Sequence, residues 1–305
     1  PCPMLSFWVV VALAAPAAEG YGVGDRSRRW VLGGLAGVAW APWRLEARSV
    51  PALEAAKRLS DGEFYVAWPY RFAADVVPFL SACATRGDPE SILAAMDLWA
   101  ARYPMFQVGP VKGKILEDAL RKAKPRVAAE IGTFVGYSAL RIARALPAEG
   151  GKLACVEASE EFAAVARRVL DFAGLENAIV VVAKGSDCAP DLRRILGDEA
   201  KLDFLFLDHD KEAYADDLTT LETERLVRQG TVVLADNVVF PGAPGYLDHV
   251  GEPAYSTTLF PAPYESRGWE TNWEPRDDAM SLSTRLLDEL STTTTTTIEE
   301  DNNRR

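Results

Sequence analysis

The chain contains 305 residues, of which 49% are hydrophobic, and it carries a formal net charge of -11. This length suffices for one sizeable domain with appended segments or for two small domains. Because the acidic chain contains no long basic run, its charge argues against a nucleic-acid or anionic-membrane partner and leaves small molecules as the expected ligands.

The few cysteines and histidines narrow the kinds of site that the chain can form. No two cysteines form a CxxC pair, and four cysteines in a chain of this length do not make a disulfide framework. We therefore predict that all four are packing residues: Cys2, Cys83, Cys155 and Cys188. The two histidines, His209 and His249, are too few for a multi-histidine metal site.

The first 50 residues resemble a targeting leader more than part of a folded domain. Residues 4–15 are apolar and lead into small residues, which is the pattern of a secretory signal and its cleavage zone. Residues 27–32 place two adjacent arginines before the apolar residues 33–42, as in a twin-arginine signal. We expect secretory or plastid targeting; in the alternative, residues 4–42 anchor the chain to a membrane. An uncleaved leader would be the chain's membrane contact.

Two further segments flank the part of the chain in which the function is expected. Residues 51–86 are interpreted as a linker and an N-terminal helical extension. Residues 291–305 include six consecutive threonines followed by a polar run with nothing to bury, so this tail is predicted to be disordered. The function is therefore expected within residues 87–290.

Helix patterns alternate with apolar, β-rich runs along this central part. A helix is predicted over residues 89–102, with Asp88 as its N-cap and Pro89 at its first position. Further helices are predicted at 115–122, 138–146, 160–172, 189–196 and 213–227, and strands at 126–131, 152–157, 178–183, 204–208 and 231–235. This alternation predicts an α/β domain in which helices cover both faces of a parallel sheet.

Ligands of such sheets bind beyond the carboxyl ends of the strands, so the residues at those ends are the candidates for a site. The first strand leads from Glu130 to Gly132 and Gly136, where glycines let the backbone approach a ligand and the next helix offers free N–H groups. The Gly-x-x-x-Gly spacing after an acidic residue favours an adenosyl ligand with a cationic amino acid over a pyrophosphate. Glu157, at the end of the second strand, is placed to accept both hydroxyls of a ribose.

Asp208, Asp236 and Asn237 end two further strands and offer only oxygen ligands. Both strands are apolar, and a carboxylate at the edge of a buried core is costly unless a cation or a donor meets it. Magnesium suits this set because it prefers oxygen, needs few protein ligands and keeps positions for substrate oxygens. Lys211 follows three residues after Asp208. An ammonium group beside a divalent cation and away from water loses some of its preference for the charged state, so Lys211 could take a proton from a hydroxyl.

Several segments of the chain resemble the catechol O-methyltransferase family in order and spacing. They are residues 87–93 (GDPESIL), 108–113 (VGPVKG), 130–132 (EIG) with 136–139 (GYSA), 207–211 (LDHDK) and 234–238 (LADNV). The resemblance extends over residues 87–287, and its LDHxK and LADN elements together are specific.

The resemblance implies a single Rossmann-like class I methyltransferase domain with a seven-stranded, mostly parallel sheet. It implies S-adenosylmethionine and Mg²⁺ as cofactors and a small-molecule catechol as substrate, and we further expect a monomer. The residues implied to contact the methyl donor are Val108, Glu130, Gly132, Ser138, Glu157, Ser186, Asp208 and His209. Magnesium would be held by Asp208, Asp236 and Asn237, Lys211 would be the catalytic base, and the acceptor would contact Lys211, Asn237 and Glu265.

The chain departs from this family around the acceptor. Asp210 stands where the family has a tryptophan, and the aromatic residue before the Val-Gly segment is displaced to Tyr103 or replaced by Pro104. Both positions line the apolar wall around the catechol ring in the family. The sequence therefore indicates the type of reaction more firmly than the identity of the acceptor. Two alternatives remain open: a related cation-dependent O-methyltransferase for larger catechols such as flavonoids or caffeoyl esters, and a non-catalytic nucleoside-binding module.

Overall fold

The computed structural model describes residues 75–102, 105–251, 253–264 and 276–287, and the predicted leader and tail lie outside these ranges. The strands are β1 (Val127–Ile131), β2 (Lys152–Glu157), β3 (Ala178–Val182), β4 (Phe204–Leu207), β5 (Val232–Ala235), β6 (Tyr255–Tyr264) and β7 (Arg276–Arg285). The α-helices are α1 (Val76–Cys83), α2 (Pro89–Arg102), α3 (Gly109–Ala123), α4 (Tyr137–Ala145), α5 (Glu160–Ala173), α6 (Ala189–Leu196), α7 (Tyr214–Thr223) and α8 (Pro244–His249).

The strands form one seven-stranded sheet in the order β3-β2-β1-β4-β5-β7-β6. The first five strands of this order run parallel, whereas β7 is antiparallel to both β5 and β6. The predicted α/β class with a mostly parallel seven-stranded sheet is therefore confirmed. The order reverses beside β1, and in such sheets this is where ligands bind beyond the strand ends.

Two apolar cores pack on the two faces of the sheet. Successive strand residues point to opposite faces. Phe204 and Phe206 accordingly join the core formed with α1 to α5, while Leu205 and Leu207 join the core formed with α6 to α8. All four side chains are fully buried, which explains why the central strands have unbroken apolar sequences rather than alternating ones.

Most predicted elements agree with the structure within one residue at each end. At the start of α2, the Asp88 carboxylate accepts hydrogen bonds from the backbone N–H groups of Glu90 (3.1 Å) and Ser91 (3.2 Å), as expected of an N-cap. Cys155 and Cys188 are free thiols and both are buried, as expected of packing residues. Among the described residues, no helix is both long and apolar enough to span a membrane.

The predicted start of α3 is wrong, because the helix begins at Gly109 and not at residue 115. Gly109 and Gly113 lower the helix propensity of its first turns, which hides them from the sequence pattern. Tertiary packing outweighs that propensity. A Cβ on Gly113 would lie 2.7 Å from Nε of Arg141 on α4, so a larger residue there would require the Arg141 side chain to shift.

The predicted end of α7 is also wrong, since the helix stops at Thr223 rather than at residue 227. Arg225 adopts a left-handed φ of 56°, which the helix cannot continue through. The backbone N–H groups of Leu226 and Val227 then turn back to the carbonyl oxygen of Leu221 and close the helix end.

Candidate active site

A cleft of about 1050 Å³ opens beyond the carboxyl ends of β1, β2, β4 and β5. The predicted site residues that line it are Val108, Gly132, Ser138, Glu157, Ser186, Asp208, His209, Lys211, Asp236 and Asn237. Glu130 is fully buried behind the cleft wall, and Glu265 lies outside the described residues. A smaller depression of about 400 Å³ beside Arg86 and Phe172 contains none of the predicted residues. The structure thus brings all but two of the predicted positions to one surface.

In the turn after β1, the backbone lies very close to the backbone at the end of β4. Gly132 adopts a φ of +96°, and a Cβ there would lie 2.4 Å from the carbonyl oxygen of Asp208 at the end of β4. The N–H groups of Gly132 and Thr133 both donate to the carbonyl oxygen of Val156, which ties the turn to the end of β2. Gly136, with a φ of +90°, then leads into α4. This turn therefore joins the ends of three neighbouring strands.

Glu157 ends β2 and faces the cleft with its carboxylate oriented by two backbone donors. The N–H of Phe134, in the glycine turn, donates to Oε2 (2.7 Å), and the N–H of Ser159 donates to Oε1 (2.9 Å). Each carboxylate oxygen can accept a further bond. A ligand hydroxyl in the cleft could therefore donate to Glu157 without displacing either backbone contact.

Glu130 lies on β1 just before the same turn. Unlike Glu157, which lines the cleft, it is fully buried. Burial raises its pKa to about 8, and the negative charges of Asp208 and Glu157 add to the shift. The nearby hydroxyls of Ser138 and Thr133 moderate it, although neither makes a hydrogen bond of ordinary geometry to the carboxyl oxygens. Burial and the neighbouring carboxylates thus favour the protonated form of Glu130.

Asp208 and Asp236 stand side by side because β4 and β5 are paired in register, Leu207 opposite Ala235. The Tyr214 hydroxyl, buried on α7, lies 2.9 Å from the carbonyl oxygen of Leu207 and 3.2 Å from that of Asp236, and so holds the two strand ends together. Lys211 Nζ lies 2.9 Å from Oδ1 of Asp208. The predicted base thus shares one site with both predicted carboxylate ligands.

The two carboxylates and the amide of Asn237 form a donor set that fits a small divalent cation. The pKa of Asp236 is raised to about 7, first by burial and then by the charge of Asp208, while Lys112 and Lys211 oppose the shift. A cation between the carboxylates would relieve this repulsion. Within the described ranges, no group of three His, Cys, Asp or Glu side chains could hold a metal ion, so the predicted set depends on the amide of Asn237 as its third member.

Lys112 and Asp278 belong to this site but are not among the predicted residues. Lys112 Nζ lies 2.6 Å from Oδ1 of Asp236 and 2.5 Å from Oδ2 of Asp278. Burial alone would lower the pKa of Lys112, but the two carboxylates outweigh it and hold the pKa above its usual value. A signal for Lys112 exists in the sequence, because it shares the buried face of α3 with Leu116 and Leu120 at spacings of four residues. Asp278 has no comparable signal.

His209 and Ser186 also line the cleft. His209 Nε2 lies 2.7 Å from Oδ2 of Asp217, and its buried Nδ1 has no hydrogen-bond partner among the described residues. Asp217 also packs closely on Gly185, where a Cβ would meet its carboxylate at 1.7 Å. The absence of a side chain at Gly185 therefore lets the turn carrying Ser186 approach α7.

Asp210 is exposed on the rim of the cleft. Its carboxylate accepts a hydrogen bond from the N–H of Glu212 at 3.2 Å, so it also stabilises its own turn. The other two positions at which the chain departs from the family, Tyr103 and Pro104, lie outside the described residues.

Comparison with known proteins agrees with this geometry. A family model described as O-methyltransferase matches residues 93–250, which is more than half of the chain. Bovine catechol O-methyltransferase is 42% identical over 169 residues, which cover 55% of this chain and 61% of that protein. The chain thus spans less than two thirds of the length of this relative.

Two solved structures share the fold. The O-methyltransferase from Bacillus cereus in complex with SAH is 26% identical, with a TM-score of 0.53, and the match covers 69% of this chain and 97% of that one. The O-methyltransferase TomG from Streptomyces achromogenes, in complex with SAM, is also 26% identical with a TM-score of 0.53, covering 72% of this chain and 99% of that one. By the family model and its similarity to catechol O-methyltransferase, the chain belongs to the O-methyltransferase family.

Proposed function

We propose that the chain transfers a methyl group from S-adenosylmethionine to one hydroxyl of a catechol-type vicinal aromatic diol, with the help of Mg²⁺. The observation that carries the proposal is the position of Lys211, whose Nζ lies 2.9 Å from the carboxylate of Asp208. In the same cleft, Asp236 and Asn237 adjoin Asp208, and Glu157 faces the glycine turn. The residues that we assign to a base, a cation site and a nucleoside site therefore line one cavity.

The donor half of the cleft suits an adenosyl group. The carboxylate of Glu157 is already oriented by the N–H groups of Phe134 and Ser159, so ribose hydroxyls would meet a fixed acceptor. Family membership supports this assignment, because the SAM complex of TomG and the SAH complex from Bacillus cereus have the same fold.

The acceptor half would use Asp208, Asp236 and Asn237 to hold magnesium. Magnesium held there would supply the Lewis acidity that lowers the pKa of a substrate hydroxyl. These three residues, each at the end of a strand, contribute a rigid frame for it, because the strands are paired and the Tyr214 hydroxyl holds their ends together.

Lys211 would accept the proton of the hydroxyl that is to be methylated. The proton would pass from the hydroxyl oxygen to the nitrogen lone pair of Lys211. The freed electron pair forms the new oxygen–carbon bond, and the carbon–sulfur bond of the donor breaks to leave S-adenosylhomocysteine. Holding both reactants in one cleft is worth roughly 7 to 11 kcal/mol when the reacting atoms are well aligned.

A panel of acceptors tests the proposal. The full chain is incubated with labelled donor, Mg²⁺ and either a 1,2-diol, a 1,3-diol or a single phenol, and the products are identified by mass. We expect one methyl group on each 1,2-diol and background transfer to the others, because the proposal needs two adjacent oxygens on the acceptor. Equal methylation of the single phenol would contradict the diol assignment.

The same panel tests the role of Asp210. A carboxylate on the rim offers no apolar cover to a ring, so a catechol that carries an amine should have a higher kcat/KM than a neutral one of similar size. Replacement of Asp210 by Trp should shift this preference toward the neutral catechol, with an apolar gain of about 1–3 kcal/mol if the ring is well buried. An unchanged ratio of the two kcat/KM values would show that Asp210 does not contact the acceptor.

Inclusion of a flavonoid-sized catechol in the panel distinguishes the proposal of a small acceptor from the alternative of a larger one.

A further inference from the structure

Asp278 is a buried carboxylate on β7 that contacts the proposed metal site from behind. Its side chain is fully buried and accepts four hydrogen bonds. Lys112 Nζ and Asn237 Nδ2 donate to Oδ2 at 2.5 and 2.8 Å. The backbone N–H groups of Val239 and Phe240 donate to Oδ1 at 3.2 and 2.8 Å. All four partners are donors, so Asp278 serves here as an acceptor.

This acceptor determines which end of the Asn237 amide faces the cleft. The amide has one edge that donates and one that accepts. Because Asp278 accepts, it must face the NH₂ group, and Oδ1 is directed away from it. Oδ1 is the atom with which an amide binds a hard cation. A rotation of the amide by half a turn would place Nδ2 where a metal needs oxygen.

The same carboxylate also holds the backbone that follows Asn237. Asn237 has a left-handed φ of 59°, so the chain turns sharply after β5. Val239 and Phe240 follow Asn237 by two and three residues. Their backbone N–H groups donate hydrogen bonds to Oδ1 of Asp278. Asp278 can reach them because β7 is antiparallel to β5, with Ser281 opposite Ala235. One side chain therefore controls both the backbone turn and the amide orientation.

Lys112 connects Asp278 with the second carboxylate of the site. Its ammonium, 2% exposed, bridges Oδ2 of Asp278 and Oδ1 of Asp236. The N–H of Asn237 donates to the same Oδ1 of Asp236 at 2.7 Å. Both donors bind one oxygen of Asp236, and the described residues show no hydrogen bond to the other, Oδ2.

We propose that Asp278 is a positioning residue of the metal site, which fixes the side chain of Asn237 with its carbonyl oxygen toward the cleft. The inference rests on the proposed function in so far as that function assigns Mg²⁺ to Asn237. Asp278 acts through Asn237, and with Lys112 it forms a layer behind the ligands. Loss of such a layer typically weakens metal binding by about 10- to 100-fold.

Calorimetric titration of the full chain tests the proposal, first with Mg²⁺ alone and then with S-adenosylhomocysteine alone. Asp278→Asn should raise the Kd for Mg²⁺ by about 10- to 100-fold and leave the Kd for S-adenosylhomocysteine within about twofold. Asp277→Asn is the matched control, since Asp277 is the exposed neighbour on the same strand, and both of its affinities should equal those of the wild type.

A variant in which residues 237 and 278 exchange their side chains tests whether Asp278 orients residue 237 or only supports the local structure. Asn237→Asp alone places two carboxylates in contact, whereas the double variant Asn237→Asp/Asp278→Asn restores one donor and one acceptor and gives the metal a carboxylate that needs no orientation. The double variant should bind Mg²⁺ more tightly than either single variant.

Each other outcome contradicts the proposal in a distinguishable way. Wild-type affinity for Mg²⁺ in Asp278→Asn would overturn the positioning role and leave the proposed function intact. A parallel loss of both affinities in Asp278→Asn, without rescue in the double variant, would reduce Asp278 to a structural residue. A wild-type chain that binds S-adenosylhomocysteine but not Mg²⁺ would overturn the metal assignment and the positioning role together.

Discussion

Glu157 is the residue on which recognition of the methyl donor depends most in this account. Its carboxylate would contact the ribose equally before and during methyl transfer, so its loss should weaken binding more than it slows the bound complex. For Glu157→Ala we expect the Kd for S-adenosylmethionine to rise by a factor equivalent to about 1.5–3 kcal/mol. Calorimetry measures this directly, with Glu161→Ala, an exposed position of α5, as the control. Unchanged donor affinity in Glu157→Ala would remove the residue from the donor site.

Glu130, on the strand paired directly with the one that carries Glu157, gives a prediction about stability and pH. In the unfolded chain this carboxyl titrates near 4.5 and in the folded chain near about 8, so between these values only the folded state binds the proton. Stability is therefore greatest below the lower value and falls as the pH rises toward the upper one, by up to about 1.4 kcal/mol per pH unit for one carboxyl.

Glu130→Gln should flatten this decline in chain free of metal and donor, because the amide does not ionise. Asp236 has a raised pKa as well and contributes in the same direction, so part of the slope should remain. Chemical denaturation between pH 5 and about 8 measures the effect, and Glu176→Gln, at an exposed position, is the control. A slope equal to the wild type would show that Glu130 is ionised in the folded chain.

At the scale of elements, the contact between the turn after β1 and the end of β4 determines the shape of the cleft. Gly132 and Gly174 both have left-handed φ values, +96° and +72°, but a Cβ on Gly132 would lie 2.4 Å from backbone whereas one on Gly174 would meet nothing within 4 Å. Gly174→Ala should therefore lose only the conformational term, about 1–2 kcal/mol.

Gly132→Ala should lower the free energy of unfolding by more than Gly174→Ala, because the backbone of the turn or of Asp208 must move. It should also weaken donor binding, since Gly132 lines the cleft. Thermal unfolding compared with donor titration checks both effects. Equal losses of stability in the two variants would mean that the turn and the end of β4 are not in close contact.

The elements that the sequence predicts well are those whose pattern agrees with local propensity. β2, which ends at Glu157, and α6 have the predicted bounds, and the strands that lead to Asp208 and Asp236 are predicted to within one residue. The start of α3 is missed because Gly109 and Gly113 lower the helix propensity of its first turns. β6 is not predicted because it is an edge strand that is exposed over most of its length and contains Pro261 and Pro263.

In the site as well, contacts between residues close in sequence can be predicted, whereas contacts between distant residues cannot. Asp208 and Lys211 are close in sequence, so their proximity is readable from spacing. Asp278 is 41 residues from Asn237 along the chain, and its contact with that residue depends on the antiparallel insertion of β7 beside β5. No periodic pattern in the sequence predicts where β7 inserts into the sheet. The contact between Asp278 and Asn237 can therefore be recognised only once the sheet order is known.

At the scale of the whole molecule, one edge of the sheet carries everything that the proposed reaction needs. The parallel strands β2, β1, β4 and β5 bring Glu157, the glycine turn, Asp208 and Asp236 to neighbouring positions. β7 then supplies Asp278 from the opposite direction. The proposed nucleoside site and the proposed cation site are therefore adjacent by topology, and a donor and an acceptor bound to them would meet in one cleft.

Dependence on magnesium tests this account most directly. Methyl transfer from labelled S-adenosylmethionine to a catechol is measured for the full chain in excess chelator and again after Mg²⁺ is restored, beside Asp236→Ala and the exposed control Asp198→Ala. We predict that chelation abolishes transfer, that Mg²⁺ restores it to the wild type and to Asp198→Ala, and that Asp236→Ala stays inactive because it lacks one of three proposed ligands. Undiminished transfer by the wild type in excess chelator would contradict the account.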